Sequence, residues 1–431
     1  MALVSELELP AFDHTDPSMR GERFHRAMGE LRERGWLAQG PYGYMVLDHE
    51  AGEFFLRTRS AIFPGMKIAE IFDVTEGPLY EQMKHNILHV NGPDHTRLRS
   101  LVNPALSPRA VERYRPAMRG FLEVLWGAVL SAAAGSDGNG RVPAQGVVRC
   151  EFVEAFAKPY PSLVIAEVMG APLQDAPRLH HWSNWIQRQF DAGSMASERD
   201  AIDRAVREFY EYAEALLHAR RQDPGDDLIS KLIAAADPDH PPERLSEQEC
   251  INLVFNVLVG GVDTSQSQLA HAIRLLAEHP EQWALLAADP SLAEQAVEEA
   301  LRYEPITPFT ARILVEEVSY RGVTFPEGTI VMVCAFTGNR DLGSEDDAPG
   351  EQDSFDIAAA QRRSPRAHAR VLTFGAGVHY CLGANLARLE LTEGLTFLAE
   401  NMHALELDGE PEFGTISGIY GLEQLPIRFS L

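Results

Sequence analysis

The chain has 431 residues, of which 45% are apolar and 23% charged, and its formal net charge is −25. The apolar content supports a large buried core, whereas the excess of acidic residues disfavours general binding to nucleic acid or to anionic membranes. The four cysteines lack CxxC spacing, which indicates neither a disulfide framework nor a structural zinc site. The N-terminus shows no basic segment followed by an apolar one, so we expect no secretory signal and a cytoplasmic protein.

Helical periodicity dominates the chain. Apolar residues recur at i, i+3 and i+4 in three segments, 110–130, 249–279 and 291–305. Residues 121–135 are the most apolar candidate for a membrane span but fall short of the roughly 20 residues that a bilayer requires, so we expect a buried helix there. Strand patterns are shorter, in 311–341 around a Pro-Glu-Gly turn and in 425–431. The sequence predicts a mainly α protein with a minor β-sheet region.

Two loops interrupt these patterns. Residues 133–146 are rich in Gly and Ser, and residues 341–354 are acidic and contain Pro and Gly. We interpret both as surface insertions rather than as domain linkers.

The segment 374–383, "FGAGVHYCLG", surrounds one thiol with glycines that permit positive φ or the close approach of a flat ligand: Gly375, Gly377 and Gly383. A helical pattern follows, so Cys381 lies where helix-start N–H groups and the helix dipole stabilise a thiolate. A lone cysteine is more often a small buried hydrophobe. A dinucleotide-binding loop is disfavoured because Tyr380 occupies its third glycine position. A zinc site is also disfavoured, because the residues near Cys381 would supply at most one further ligand.

This segment resembles the haem-binding loop of the cytochrome P-450 superfamily, the haem-thiolate monooxygenases. The resemblance implies that Cys381 is the axial ligand of a haem b iron (iron protoporphyrin IX), with Phe374 beside the sulfur, His379 at a propionate and Gly383 against the cofactor. A thiolate ligand favours O–O cleavage. The implied fold places haem between a long distal helix and the helix that follows the cysteine loop.

A Glu-x-x-Arg motif lies some eighty residues before the cysteine. Glu299 and Arg302 share one helix face and can pair, although such pairs are usually solvated surface bridges of little energetic weight. The motif resembles the family's Glu-x-x-Arg helix. That resemblance implies a buried structural pair that holds the haem-binding core.

The second distant match is "VGGVDTSQS", where four poor helix-interior residues interrupt an apolar helix: Gly260, Gly261, Asp263 and Thr264. One glycine would explain a kink or a tight packing point, and the acid and alcohol add proton-transfer capacity. The resemblance implies an oxygen-binding groove here, with Asp263 and Thr264 as the catalytic acid-alcohol pair. The Gly-Gly form and the Ser-Gly-Ile at 417–419 resemble the bacterial camphor hydroxylase.

The third match is "NGPDHTRLRSLVNPALSPRAV", in which His95 and Arg99 project from one face of a predicted helix. By resemblance they bind a haem propionate through charge-assisted hydrogen bonds, and so does Arg312 in "PFTARIL". Without the resemblance, Arg312 would be interpreted as an exposed residue of a strand. Because all these segments must surround one haem, we expect a single domain over residues 1–431.

The sequence also departs from the family. "NRDLGSEDDAPGEQDSFD" lacks the proline that commonly follows Asn-Arg-Asp and carries an acidic insertion at 342–354. Ser354 stands where many relatives have an arginine that joins the Glu/Arg pair. We name Arg362 and Arg363 as candidates to replace that arginine.

The resemblance implies insertion of one oxygen atom from O2 into a hydrophobic small molecule, with hydroxylation favoured and a role in secondary metabolism. Electrons would come from a separate ferredoxin and ferredoxin reductase, since no flavin or iron–sulfur pattern is seen. Two arginine-rich segments, 97–119 and 362–370, favour docking of an acidic ferredoxin. We expect a monomer without nucleic-acid or membrane partners. The candidate pocket residues are Val259, Gly260, Ile306, Phe309 and Ile419.

Two alternatives remain open. A peroxygenase driven by hydrogen peroxide would be expected to replace the acid-alcohol pair, so the presence of Asp263 and Thr264 disfavours it. A haem-based sensor or carrier needs the thiolate but no proton relay.

Overall fold

The computed structural model describes residues 2–136, 146–235, 245–342, 351–362 and 371–431. The helices are α1 Gly21–Glu33, α2 His49–Arg57, α3 Met66–Ile71, α4 Pro78–His85, α5 Gly92–Val102, α6 Pro108–Val111, α7 Arg115–Ser136, α8 Pro159–Met169, α9 Ala176–Gln187, α10 Ala192–Ser197, α11 Arg199–Gln222, α12 Leu228–Ala235, α13 Glu247–Gly261, α14 Asp263–Glu278, α15 Pro280–Ala288, α16 Ala293–Tyr303, α17 Ala335–Gly338, α18 Ile357–Arg362 and α19 Ala384–Asn401. The strands are β1 Ala2–Leu3, β2 Leu37–Gln39, β3 Tyr44–Val46, β4 Ala61–Ile62, β5 Val147–Glu151, β6 Phe309–Leu314, β7 Val318–Tyr320, β8 Val323–Phe325, β9 Ile330–Cys334, β10 His403–Leu407, β11 Glu412–Phe413, β12 Leu422–Gln424 and β13 Pro426–Ser430. The mainly α architecture with small sheets confirms the predicted fold class.

The largest sheet has the strand order β2-β3-β9-β6-β4. Its β6 and β9 run antiparallel, with Arg312 opposite Val331, while β3 is parallel to β9. Smaller sheets have the orders β1-β8-β7, β10-β13-β5 and β11-β12. The strands predicted within 311–341 and 425–431 are thus confirmed.

The centre of the helical part is α14, which is buried on every side from residue 265 to residue 277. Polar side chains at such positions need partners. Ser265 donates to Glu390, His271 bonds the backbone oxygen of Tyr420, and Arg274 pairs with buried Glu304 at 2.7 Å. These bonds tie α14 to the elements that pack around it, while Oε1 of Gln268 has no hydrogen-bond partner among the described residues.

The predicted interruption of the long helix is confirmed. The first half, α13, begins with a capping box in which Ser246 and Glu249 bond each other's backbone N–H. It ends at Gly261, and α14 begins at Asp263. A Cβ added at Gly261 would lie 2.4 Å from the Cδ1 atom of Ile165, whereas one at Gly260 would meet nothing within 4 Å. Close packing against α8 thus explains Gly261 but not Gly260.

The expectation of a buried helix at 121–135 is wrong. In the most apolar window of Pro108–Ala134, only 22% of the residues are buried, and Val124 is 70% exposed. By length and composition alone this is one helix that could cross a membrane, among the residues described. Such a criterion is weak evidence of a span.

Both loop predictions fall partly outside the described residues. This holds for 137–145 of the Gly/Ser-rich loop and for 343–350 of the acidic insertion at 342–354.

Candidate functional site

The cysteine loop is a short, tightly bonded turn that leads into α19. The backbone N–H of Cys381 donates to the carbonyl of Phe374 at 2.9 Å. Gly375 and Gly377 have φ of +68° and +72°, and a Cβ at Gly377 would lie 2.6 Å from the backbone oxygen of Leu56. Glycine is therefore required at both positions. Gly383 has φ −87° and nothing within 4 Å of its missing Cβ, which leaves open space beside the thiol.

Burial dominates the electrostatics of the thiol. It raises the pKa of Cys381 because a thiolate is poorly solvated inside the protein. Backbone N–H groups of Gly383 and Ala384 and the nearby Arg99 act in the opposite direction. A thiolate at this position therefore needs further positive charge, which a coordinated metal ion supplies.

A cavity of about 320 Å³ opens over this thiol. It brings together eleven of the residues predicted from sequence: His95, Arg99, Val259, Gly260, Thr264, Ile306, Arg312, Phe374, His379, Cys381 and Gly383. The structure places two predicted pocket residues elsewhere. Phe309 packs among the rings of Phe12, His14 and Phe24, because its position on β6 faces the N-terminal segment, and Ile419 does not line the cavity.

Four basic side chains converge on one edge of the cavity. His95 and His379 have ring centroids 4.3 Å apart, and Arg99 and Arg312 line the same cavity. Burial lowers the pKa of Arg312 to about 10 and, aided by repulsion from His95, lowers that of His379 to about 3. Within the described part of the chain, neither arginine has an ion-pair partner. The cluster is suited to bind an anionic ligand with carboxylates.

The acid and the alcohol of the distal helix face different directions. Thr264 lines the cavity, and its Oγ1 donates to the carbonyl of Gly260 at 2.5 Å. Asp263 is buried outside the cavity lining, where it accepts hydrogen bonds from Ser183 and Asn184 of α9. Burial raises the pKa of Asp263, and these hydrogen bonds oppose the rise. The structure therefore brings Thr264, but not the Asp263 carboxyl, into the cavity.

The Glu-x-x-Arg pair is buried and bidentate. Arg302 donates through Nε and Nη2 to the two carboxylate oxygens of Glu299, at 2.8 and 2.7 Å. Its remaining donors reach the backbone oxygens of Gln352 and Ser354 at 2.7 and 2.8 Å. Main-chain carbonyls thus occupy the place of a third side-chain partner. The side chains of Arg362 and Arg363, our candidates for that place, lie outside the described residues.

Comparison with known proteins decides the family. A sequence model of the family described as Cytochrome P450 matches residues 165–288 and 286–410. The chain is a cytochrome P450. Luteothin monooxygenase of Streptomyces thioluteus is 32% identical to it over 426 residues, covering 98% of this chain and 96% of that protein. Cytochrome P450 monooxygenase PikC of Streptomyces venezuelae is 34% identical over 351 residues, covering 80% and 76%. These P450s are oxidoreductases.

A solved structure supports the same conclusion. The crystal structure of CalO2 superimposes with a TM-score of 0.84 at 28% identity, covering 98% of this P450 and 99% of that chain. The family implies a haem cofactor, and the residues present fit one. The thiol supplies a ligand for iron, the space beside Gly383 admits a flat group, and the buried basic cluster matches the negative charge of propionates.

Sequence reasoning missed several residues of the site. Gln187 and Glu390 line the cavity of this P450, but both belong to ordinary amphipathic helix patterns that give no local signal. Arg388 lies over the Phe374 ring at 4.5 Å and pairs with Glu298. The sequence signal available for Arg388 was its position seven residues after Cys381, on the helix that follows the cysteine loop. Phe63, which lines the cavity and stacks on His89 with ring centroids 5.3 Å apart, had no sequence signal.

Proposed function

We propose that this P450 is a haem-thiolate monooxygenase that inserts one oxygen atom from O2 into a hydrophobic small molecule, with hydroxylation as the reaction. The observation that carries the proposal is the convergence of the Cys381 loop, the Thr264 hydroxyl and the buried basic cluster on one cavity. In this proposal one domain spanning residues 1–431 encloses the site, and the protein acts as a monomer.

The cofactor proposed is haem b, with Cys381 as the axial ligand. His95, Arg99, Arg312 and His379 would bind its propionates, and this role accounts for a buried arginine, Arg312, and a half-buried one, Arg99, that lack acidic partners in the described residues. Phe374, held under the Arg388 guanidinium, would shield the sulfur. When bound, the haem supplies an iron whose thiolate ligand favours O–O cleavage.

Protons would reach the cavity through the distal helix. The Thr264 hydroxyl lies in the cavity and can hold a proton at Oγ1. Asp263 keeps its proton to higher pH than an exposed aspartate, because burial raises its pKa. To pass that proton on, the carboxyl must exchange its hydrogen bonds with Ser183 and Asn184 for one directed towards the cavity.

The lining suggests the class of substrate. Val259 and Ile306 are buried apolar residues at the cavity, and burial of apolar surface would provide most of the affinity. One relative is named polyketide biosynthesis cytochrome P450 PksS, of Bacillus subtilis, and another is named mycinamicin IV hydroxylase/epoxidase, of Micromonospora griseorubida. A hydrophobic intermediate of secondary metabolism is the substrate class we propose.

A ferredoxin and its reductase are the electron donors we propose. The arginines of 97–119 are less available than the sequence suggested, since four form ion pairs: Arg97 with Glu249, Arg113 with Asp226, Arg115 with Glu112 and Glu393, and Arg119 with Glu400. Arg109 is exposed on α6, which packs against α19. Val378 in the cysteine loop is 71% exposed. Arg109 supports docking of an acidic partner on the cysteine side, and Val378 adds exposed apolar surface there. The segment 362–370 falls almost wholly outside the described residues.

The deciding experiment is the absorption spectrum of the reduced, carbon monoxide-bound protein. We expect a strongly red-shifted Soret band that is lost in Cys381→Ser and kept in Cys150→Ser, a matched control at a half-buried cysteine far from the cavity. A histidine-type band, or a band that survives Cys381→Ser, would refute the proposal. Turnover with hydrogen peroxide alone, equal to turnover with ferredoxin, would favour the peroxygenase alternative.

A further inference from the structure

The break between α13 and α14 leaves backbone carbonyls that a continuous helix would satisfy. The last carbonyls of any helix lack intrahelical donors and need other partners. At this break, side chains donate hydrogen bonds to two of these carbonyls. The carbonyl of Val259 accepts from Nε2 of Gln187, and the carbonyl of Gly260 accepts from Thr264. The geometry of the break thus depends on side chains outside the helix backbone.

The partner that comes from another element lies on α9. His180, Ser183, Asn184 and Gln187 occupy one face of this helix, at spacings of three and four residues. His180 bonds the side chain of Gln266 at 2.9 Å, and Ser183 and Asn184 bond Asp263. These three contacts reach α14. On the other side of the break, Gln187 bonds the Val259 carbonyl of α13, and the Ser183 hydroxyl also donates to the Leu258 carbonyl at 3.5 Å.

Gln187 also belongs to the cavity. It is half-buried and lines the space over Cys381 together with Gly260 and Thr264. Its Nε2 is engaged by Val259, while its Oε1 accepts no hydrogen bond from the described part of the chain. One side chain therefore joins α9, the broken turn and the cavity.

We propose that Gln187 is a positioning residue for oxygen activation. By holding the Val259 carbonyl it keeps the turn 258–262 open and fixes the place of Gly260 and Thr264 over the thiol. The inference rests on the proposed function, because Gln187 can position residues for oxygen activation only if oxygen is activated at the groove between α13 and α14. Gln187 itself transfers no proton and touches the reacting atoms only through Thr264.

The test compares ferric holoenzyme variants by amide hydrogen exchange and by oxygen consumption. Gln187→Met keeps the length and the unbranched shape of the side chain but removes the donor. We expect amide exchange across 258–264 to rise about three- to tenfold, the factor that corresponds to loss of one hydrogen bond, with exchange in 247–255 unchanged. With a surrogate ferredoxin and its reductase, we expect more hydrogen peroxide released per NADPH oxidised.

His181→Gln is the matched control, since His181 is the exposed neighbour on the same helix, and it should match the wild type in both assays. Unchanged exchange and unchanged peroxide yield in Gln187→Met would overturn the inference. If Gln187→Met loses haem, Gln187→Lys is tested instead, because lysine restores a hydrogen-bond donor. Amide exchange across 258–264 that stays faster than in the wild type in Gln187→Lys would also overturn the inference. Loss of the thiolate spectrum in Cys381→Ser is independent of these results, so failure of the proposed function is recognised separately.

Discussion

Glu390 offers a sharp test of the electrostatics around the cavity. Its carboxyl is 1% exposed on α19, accepts one hydrogen bond from Ser265 at 2.9 Å, and has one oxygen without a partner in the described residues. Burial raises its pKa from 4.5 to about 8, and the Ser265 hydrogen bond opposes the rise. The folded protein therefore keeps a proton that the unfolded chain releases between these two values.

The consequence is a loss of stability with rising pH. Between about pH 4.5 and about pH 8, Glu390 is protonated in the folded protein but ionised in the unfolded chain. The free energy of unfolding therefore falls across this range and then levels off. Between about pH 5 and pH 9 this one group removes about 4 kcal/mol. For a chain of 431 residues, that corresponds to about 4 °C in melting temperature.

Glu390→Gln mimics the protonated side chain and removes the titration. We expect calorimetry of the holoenzyme to give nearly equal melting temperatures near pH 5 and a variant more stable by about 4 °C near pH 9. Glu423→Gln, at an exposed acid on β12, is the control and should show no such pH-dependent difference. A difference between Glu390→Gln and the wild type that stays constant across this pH range would refute the reasoning.

Three further predictions concern packing and charge. Gly261→Ala should lose about 1–3 kcal/mol in thermal unfolding through its contact with α8, whereas Gly260→Ala, whose added Cβ meets nothing within 4 Å, should gain up to about 1 kcal/mol. Arg302→Ala removes the bidentate cation from the buried Glu299 carboxylate and should cost about 3–5 kcal/mol, seen as low haem content and a lowered melting temperature. Arg312→Leu should speed haem transfer to apomyoglobin about ten- to a hundredfold, the effect of losing one charged hydrogen bond, without moving the carbon monoxide band; an unchanged transfer rate would contradict its proposed role.

Local patterns predicted much of the fold. The strands around 311–341 and the C-terminal strand follow from β-branched residues and turn residues, which act over a few neighbours. The break at 262 follows from clustered poor helix formers. The helix α7 was misjudged, since an apolar sequence does not reveal how much of its surface other helices cover. Burial is a property of the assembled core.

The features of the site also divide into those that local sequence patterns predicted and those that they did not. Cys381 was identified from sequence because its glycines meet backbone demands that can be read over ten residues, and two of them indeed have positive φ. Arg302 was paired with Glu299 by helix spacing alone. Its contacts with the backbone oxygens of 352 and 354 bridge fifty residues. No periodic pattern contains them.

The sequence by itself determined which family this chain belongs to and where its thiol, its basic residues and its distal break lie, because each depends on residue type and short spacing. Only the tertiary structure decided that Asp263 turns towards α9, that Gln187 holds the broken turn, and that Phe309 packs away from the cavity. Side-chain direction depends on partners that come from distant segments. Those partners become neighbours only when the helices pack.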